Sequence, residues 1–347
     1  MTDPQLFQQL RAWPKVELHR HLEGSVRLAT LVEVAQAYGI EMPEYSLETL
    51  RPFVQMMPEE TRSSQHFLAK FLTIRQFFRS AEVIRRVARE AVEDAAADNV
   101  LYMELRFTPP ALSNILRCAY ADVIGWVCEG VAQAMATAAI QVRLIVSVNR
   151  HEPVATAEQV LEAALAFRQQ GVVAFDLAGN ERDYPAAPFA GVFQRARAEG
   201  LGVTVHAGEW AGAESVKVAV EHLGAQRIGH GIRSVEDPAL LDWLAERGLV
   251  LEVCPTSNVH SGAVGHWDDH PLRVLNHSVV PVTINTDDPL VSDICLSDEL
   301  HVAITRLGMT LADLKKHTRA AINAAFLPVS ERQRLLARWD SLLTANV

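Results

Sequence analysis

The segment KVELHRHLEGS (residues 15–25) combines a short apolar–polar alternation with two histidines, two positions apart, and a following glycine. Side chains at positions i and i+2 of an extended chain point to the same face. His19 and His21 can therefore bind one ion between them, or they can be two ordinary polar residues at the end of a strand. The rest of the sequence has to decide between these interpretations.

The same arrangement, a short β-rich run that ends in polar residues, recurs along the chain. Eight runs are predicted to be strands: 15–19, 101–108, 143–148, 172–178, 202–207, 227–230, 249–255 and 281–286. Segments with apolar residues at helical spacing separate them, and those at 156–171, 212–224 and 237–248 each close on glycine, which is typical of a helix C-terminus. This alternation predicts a parallel sheet closed into a (β/α)8 TIM barrel with additional helices. The alternative, an open doubly wound sheet, would need a GxGxxG phosphate loop, which is absent.

Composition limits the classes of function. With 347 residues, 49% of them hydrophobic, the chain can bury a large core, and we expect one domain over residues 1–347 with its core at about 12–340. No apolar N-terminal run or 20-residue apolar stretch is present, so we expect neither a signal peptide nor a membrane partner. The net charge of −10 argues against nucleic acid as a partner and favours a small molecule.

The cysteines indicate the compartment. Cys118, Cys128, Cys254 and Cys295 form neither a CxxC pair nor a disulfide framework. Free thiols predict a reducing environment, so we expect a cytoplasmic location. Apolar strips on the outer helices would permit a homodimer.

Imidazoles and carboxylates collect at the C-terminal ends of the predicted strands, which is the end of a barrel that carries active sites. Beyond His19 and His21, these ends read DLAGNE (176–181), HAGE (206–209), GHG (229–231), CPTSN (254–258) and NTDDP (285–289). Singly, each has an ordinary explanation; the aspartates before Pro289, for example, can cap a helix. Together, His19, His21, His206 and Asp287 are a credible ligand set for a divalent transition ion such as Zn²⁺ in an open, catalytic site.

The other polar groups suit hydrolysis at a ring carbon. Zn²⁺ lowers the pKa of a bound water towards neutrality. Glu209 can give a proton to a ring nitrogen, and His230 can orient the nucleophile or take its proton. Asp288 can face the substrate, and Gly179 leaves its backbone N–H open to close contact.

Six segments, PKVELHRHLEGS (14–25), DLAGNE, VTVHAGE (203–209), RIGHG (227–231), CPTSN and NTDDP, resemble the signature segments of the adenosine deaminase family, zinc-dependent barrels of the amidohydrolase superfamily. The resemblance follows the family's order and covers residues 12 to about 340. It implies hydrolytic deamination of adenosine and 2′-deoxyadenosine to inosine and ammonia in purine salvage, with a purine nucleoside as the small-molecule partner. It also implies that His19, His21, His206 and Asp287 hold zinc.

The resemblance assigns further roles residue by residue. It implies that Glu209 protonates the purine at N1 and that His230 positions the attacking hydroxide at C6. Substrate contacts are implied for His21, Glu23, Gly179 (its N–H to N3) and Asp288 (to N7). Two-metal members of the superfamily carry a modified lysine at the end of the fourth strand, where this chain has "FDLAGN", so one Zn²⁺ per chain is expected.

One position departs from the family pattern. Adenosine deaminases typically have Asp, a ribose contact, where this chain has Glu23, and enzymes of the family that act on free adenine typically carry HLEG. However, FLAKFL (67–72) resembles the pocket-covering helix of the nucleoside enzymes. Adenosine is therefore favoured over adenine, a modified adenosine or an adenine nucleotide. A non-catalytic nucleoside-binding protein is the alternative from another class, and residues 45–80 are a candidate lid.

Overall fold

The computed structural model describes residues 3–345. Eight parallel strands form one sheet in chain order: β1 (Lys15–His21), β2 (Val100–Phe107), β3 (Gln141–Asn149), β4 (Val172–Ala178), β5 (Gly202–Ala207), β6 (Arg227–His230), β7 (Val250–Val253) and β8 (Val282–Ile284). Each strand pairs with the next. The predicted (β/α)8 barrel is confirmed.

Helices cover the outside of the sheet and its two ends. They are α1 (Asp3–Ala12), α2 (Leu28–Tyr38), α3 (Leu47–Val54), α4 (Ser64–Ile74), α5 (Ala81–Ala97), α6 (Pro109–Leu116), α7 (Tyr120–Met135), α8 (Val154–Leu165), α9 (Ala190–Ala198), α10 (Ala213–Glu221), α11 (Pro238–Glu246), α12 (Pro255–His260), α13 (Leu272–Leu275), α14 (Pro289–Ser292), α15 (Leu296–Thr305), α16 (Leu311–Ala324) and α17 (Val329–Ala345). The main apolar core lies between sheet and helices, and α16 and α17 close a second cluster against β1 and β2.

The barrel closes between β8 and β1 through a few specific hydrogen bonds. The N–H of His21 donates to the carbonyl of Asp287 at 2.8 Å, and the N–H of Asp287 donates to the carbonyl of His19 at 3.0 Å. Arg20 and Asp287 form a parallel bridge. One step earlier, the Asn285 side chain accepts from the N–H of Leu18 at 2.9 Å. Closure is therefore made at the end of the barrel where the predicted site lies.

Three of the eight strands have the bounds that the sequence predicted. β4, β5 and β6 match their predicted bounds, whereas β1 continues to His21. β7 stops at Val253 because Pro255 begins α12, which is therefore helical where strand was predicted. β8 stops at Ile284, shortly before Asp287 takes a left-handed backbone conformation with φ of 64°.

The barrel interior is charged rather than purely apolar. Arg227 donates from Nε to Glu252 Oε1 at 2.6 Å and from Nη2 to Glu104 Oε2 at 2.5 Å. Arg106 donates from Nη2 to Glu252 Oε2 at 2.7 Å. All four side chains are buried, and charges removed from water are tolerated only with such partners.

Residues 45–80, the candidate lid, are tied to the loop that follows β8. The N–H of Met56 donates to the carbonyl of Val291 at 2.8 Å. Asp293 accepts from Gln55 Nε2 and from Arg51 Nη1, each at 3.0 Å. The lid thus contacts α14, which begins directly after Asp288, and gating by this segment stays a prediction.

Cys118, Cys128, Cys254 and Cys295 are all free thiols. Within residues 3–345, helices fall short of the length and apolarity that a bilayer crossing requires.

The contact between α5 and α7 supplies a stability test, because Gly130 of α7 lies directly against α5. A Cβ at position 130 would lie 2.9 Å from Ala88 Cβ and closer still to the carbonyl of Arg85, whereas one at Gly125 would meet Phe167 at an ordinary 3.5 Å. Gly130→Ala should therefore destabilise the fold by about 1–3 kcal/mol through overpacking. Gly125→Ala, the matched control in the same helix, should be neutral or stabilise by about 0.5–1 kcal/mol. Urea unfolding measures both, and equal effects would contradict the proposed packing constraint.

Candidate active site

Three histidines and one aspartate from distant parts of the chain converge at the C-terminal end of the barrel. Asp287 Oδ1 lies 3.2 Å from His19 Nε2 and 3.3 Å from His21 Nε2. His206, at the end of β5, places its Nε2 3.2 Å from His21 Nε2. One ligand atom from each residue lies within 4.8 Å of the others. The structure thus brings together all four residues predicted as ligands.

The donor atoms fit a divalent transition ion. His19 Nε2 is buried and lacks a hydrogen-bond partner among the described residues, although buried polar atoms are normally paired. Three imidazole nitrogens and one carboxylate oxygen are donors that Zn²⁺ accepts. A second group of three, His230, Cys254 and Asp287, is also close enough for an ion. Burial raises the pKa of the Cys254 thiol well above its usual range, which disfavours the thiolate that a metal needs.

Buried carboxylates orient two of these imidazoles. His19 Nδ1 lies 2.8 Å from Glu252 Oε2, and His206 Nδ1 lies 3.0 Å from Asp176 Oδ1. These contacts leave both Nε2 atoms to face the cluster, as is typical of histidines that ligate metals. Ser257 Oγ donates to Asp287 Oδ2 at 2.6 Å and leaves Oδ1 towards the histidines.

Burial and neighbouring charges set the protonation of the cluster. Burial lowers the pKa of His206 to about 4, so its ring is neutral at pH 7, the form that binds metals. Burial alone would raise the pKa of Asp287, but the adjacent imidazoles of His19 and His21 hold that pKa well below its usual range. Asp287 is therefore an anion.

Glu209 and His230 lie beside the cluster. His230 Nε2 is 3.5 Å from Glu209 Oε2 and 3.9 Å from Asp287 Oδ2. Burial lowers the pKa of His230 well below its usual range, so this ring is neutral at pH 7. Burial, reinforced by the carboxylates of Asp287 and Glu181, raises the pKa of Glu209 well above its usual range. The raised pKa favours the protonated form of Glu209, which is the form that a general acid needs.

Glu23 and Asp288 form a second acidic pair next to the cluster. The backbone of Gly24 lies against the Asp288 carboxyl so closely that a side chain at position 24 would overlap it. Burial, then the charges of Asp287 and Glu23, raise the pKa of Asp288 well above its usual range. Asp288 Oδ1 and Glu23 Oε2 are buried and lack hydrogen-bond partners among the described residues. Two unpaired oxygens in a buried site are suited to a polar ligand.

Gly179 stands apart from these side chains. It follows β4 with φ of 94°, a conformation that favours glycine, and its surroundings are Asn149 and Arg150. Only its backbone can contact a ligand.

Several residues that shape the site were not assigned a role from the sequence. Glu181 accepts from the N–H groups of Gly208 at 2.6 Å, Glu209 at 3.0 Å and Trp210 at 2.9 Å, and so holds the loop that carries Glu209. Ser261 Oγ donates to Glu209 Oε1 at 3.1 Å. Glu181 is the last residue of DLAGNE, and its position after a strand could have identified it as a site residue. Ser261 lies beyond CPTSN, and no feature of the sequence marks it as a site residue.

Two further residues act on the histidines. Asn258 Nδ2 lies 3.1 Å from His230 Nδ1 and fixes the orientation of that ring. Glu252, which orients His19, stands in the middle of the apolar run LVLEVCP. A charged residue inside a buried strand was the indication that could have identified it.

A (β/α)8 barrel with three imidazoles and a carboxylate grouped at the C-terminal ends of its strands defines a metal-dependent hydrolase of the amidohydrolase type. The family model described as adenosine deaminase matches residues 14–342. An adenosine deaminase from Erwinia tasmaniensis is 40% identical over 326 residues, which are 94% of this chain and 97% of that protein. The chain belongs to the adenosine deaminase family, as the sequence predicted.

Solved structures with similar folds agree with this assignment. A cog1816 amidohydrolase from Burkhoderia ambifaria, with bound Zn, has a TM-score of 0.88 and 29% identity and covers 98% of this chain and 94% of its own. An adenine deaminase from Arthrobacter aurescens has a TM-score of 0.84 and 27% identity and covers 95% of this chain and 99% of its own. Of these two neighbours, one is an amidohydrolase that holds zinc and the other is an adenine deaminase.

The carboxylate behind His19 gives a test of the ligand set. Glu252→Gln should weaken Zn²⁺ binding by about 10- to 100-fold, because the imidazole loses the charged acceptor that orients it. Competition with a chromophoric chelator measures the change. Glu299→Gln is the control: Glu299 is equally buried, but it accepts from the N–H of Thr256 rather than from a cluster histidine. Equal losses in both variants would mean that burial, rather than orientation of His19, governs the affinity.

Proposed function

We propose that this protein hydrolytically deaminates adenosine and 2′-deoxyadenosine to inosine or deoxyinosine and ammonia. The observation that carries the proposal is geometric: Glu209 Oε2 lies 3.5 Å from His230 Nε2, which lies 3.9 Å from Asp287 Oδ2 of the predicted ligand cluster. A carboxyl group next to a proposed metal site supports hydrolysis of an aromatic amine, which needs both an acid and an activated water.

The ligands in this proposal are His19, His21, His206 and Asp287, holding one Zn²⁺ per chain. Zinc bound there supplies a Lewis acid that lowers the pKa of a water molecule. The neutral His206, the anionic Asp287 and the carboxylates behind two of the histidines support this choice.

Glu209 is the general acid and His230 the orienting group. As C6 of the purine becomes tetrahedral, its neighbour N1 gains basicity, and the proton of Glu209 moves to N1. His230, fixed by Asn258, faces the attacking oxygen with Nε2. The attacking water gives one proton to the neutral His230, from which it returns to the Glu209 carboxylate, and its second proton to the amino group. The C6–N bond then breaks with loss of ammonia, and C6 becomes a carbonyl.

Hydrogen bonds of complementary polarity hold the purine. Purine N7 is an acceptor, and the raised pKa of Asp288 keeps a proton available for donation to it. In this proposal the N–H of Gly179 donates to N3, also an acceptor, and His21 contacts the substrate. A charged carboxylate at position 288 would repel N7, so the burial of Asp288 is part of recognition.

The ribose contact falls to Glu23. Its Oε1 accepts from the N–H of Thr108 at 3.0 Å, while the buried Oε2 is unpaired within the described chain and can accept from a ribose hydroxyl. Glu23, although longer than the usual Asp, therefore still offers one acceptor. This observation, together with the relative named adenosine deaminase, supports the nucleoside over free adenine.

The site offers few unpaired cations to bind the phosphate of a phosphorylated substrate. Arg20 is buried and engaged by Ser25 and Glu17, and Arg27 is paired with Asp94 at 2.7 Å. Arg62 is exposed and has no ion pair to a described residue. The remaining parts of the proposal are a single domain, a cytoplasmic location and a homodimer, with a small purine nucleoside as partner.

The role of Glu209 is tested by Glu209→Gln. Turnover of adenosine should fall by about three or more orders of magnitude, because the acid is lost, while Zn²⁺ content stays at one per chain. The control is Glu214→Gln, an exposed carboxylate in the first turn of α10, which should leave turnover unchanged. A Glu209→Gln enzyme with most of its activity would exclude Glu209 as the acid.

Substrate choice is tested by ammonia release from adenosine, adenine and AMP with the zinc-loaded protein. We expect kcat/KM for adenosine to exceed the other two by at least about 100-fold, since buried oxygens left unpaired by adenine are costly. Glu23→Ala should lower kcat/KM for adenosine and leave the low rate with adenine unchanged. Faster reaction of adenine would move the function to the free base. No reaction with any of the three would contradict the proposal.

A further inference from the structure

A large cavity lies at the opposite end of the barrel from the proposed active site. Its volume is about 1280 Å³, and its floor is formed where β4 to β8 begin, at Val172, Gly202, Arg227, Val250 and Val282. Its walls come from the turns that precede these strands and from α16 and the start of α17. The proposed deaminase site lies at the other ends of the same strands, so the two regions are separate.

The lining of this basal cavity is strongly cationic. The described residues that line it include no aspartate or glutamate, although the whole chain carries 42 acidic and 32 basic residues. Its cationic side chains are Arg168, Arg197, Arg227, Lys316, Arg319 and Arg332. Positive charge concentrated against the balance of the composition indicates a preference for anions.

Four of these cations have no carboxylate within 4 Å among residues 3–345: Arg168, Arg197, Lys316 and Arg332. Each donates instead to a backbone carbonyl of the wall. The acceptors are Gly224 for Arg197 at 3.2 Å, Asn276 for Lys316 at 2.8 Å, Asn323 for Arg332 at 2.6 Å, and Glu199 for Arg168. These hydrogen bonds position the charged groups of the four side chains and leave further N–H groups free to contact a ligand. Arginine forks match the oxygens of a phosphate.

The cavity also has an apolar side. Val279 is 67% exposed, an unusual state for a large aliphatic side chain, and Pro281 lines the cavity close to it. Phe326 lines the cavity with the guanidinium of Arg227 stacked 3.8 Å from its ring centre. A ligand that combines phosphates with a flat or apolar group would use both surfaces, and the volume exceeds what most small-molecule sites offer.

We propose that the basal cavity binds a phosphate-bearing anion of nucleotide size. The phosphates contact Arg168, Arg197, Lys316 and Arg332, and the apolar part of the ligand lies on the Val279 and Phe326 side. The proposal is independent of the deamination proposal, because it predicts binding rather than turnover.

Isothermal titration of the full-length, zinc-loaded protein tests the site, with ATP and inorganic tripolyphosphate as separate probes. We expect one ATP per chain with Kd below about 1 mM in 0.15 M NaCl, weakening as salt rises. ATP should bind more tightly than tripolyphosphate, because only ATP reaches the apolar side. Equal affinity would overturn the assignment of that side to the ligand.

Two double variants locate the binding. Arg168→Gln with Arg197→Gln removes two of the four cations, and Lys316→Gln with Arg332→Gln removes the other two; each double variant should raise the Kd by about tenfold or more. The charge-matched control is Arg79→Gln with Arg306→Gln, two exposed arginines that lie outside the cavity and lack carboxylate partners within the described chain. Circular dichroism confirms that each variant is folded. Absence of ATP binding, or an equal loss in the control, would overturn the proposal.

Discussion

Two backbone hydrogen bonds between β1 and residue 287 govern the architecture of this protein. They close the barrel, and because Asp287 both donates to the carbonyl of His19 and accepts from the N–H of His21, they also place the three side chains next to one another. Asp287 accomplishes this in a left-handed conformation that costs a non-glycine residue about 1 kcal/mol or more. The same two hydrogen bonds thus close the sheet and bring the proposed ligands together.

The charged side chains inside the barrel also support the proposed site at the C-terminal ends of the strands. Glu252 accepts from Arg106 and Arg227 while it orients His19, so one carboxylate is shared between structure and site. The arginines offset the burial of that carboxylate and hold its pKa well below its usual range, against the opposing effect of burial. An apolar interior of the same volume would remove the acceptor that fixes the imidazole.

Much of this could be predicted from the sequence because the information was local. Alternating runs predicted the eight strands, and side chains at strand ends predicted which residues converge, since parallel strands present their C-terminal ends together. Interactions between distant residues were not predictable. Glu252 orients His19 across the barrel, Glu181 holds a loop from the neighbouring strand, and Ser261 reaches Glu209 from the loop after β7. The basal cavity depends on how α16 and α17 pack, which periodicity does not determine.

The positions of the proposed ligands along the chain bear on how the protein is made. Two ligands lie in the first strand, and the fourth follows the last, so a growing chain on the ribosome exposes its paired histidines long before their carboxylate partner exists. A chain truncated before residue 287 lacks one of the four proposed donors. If the proposed ligands hold the ion, the finished barrel therefore binds it more tightly than any incomplete product does.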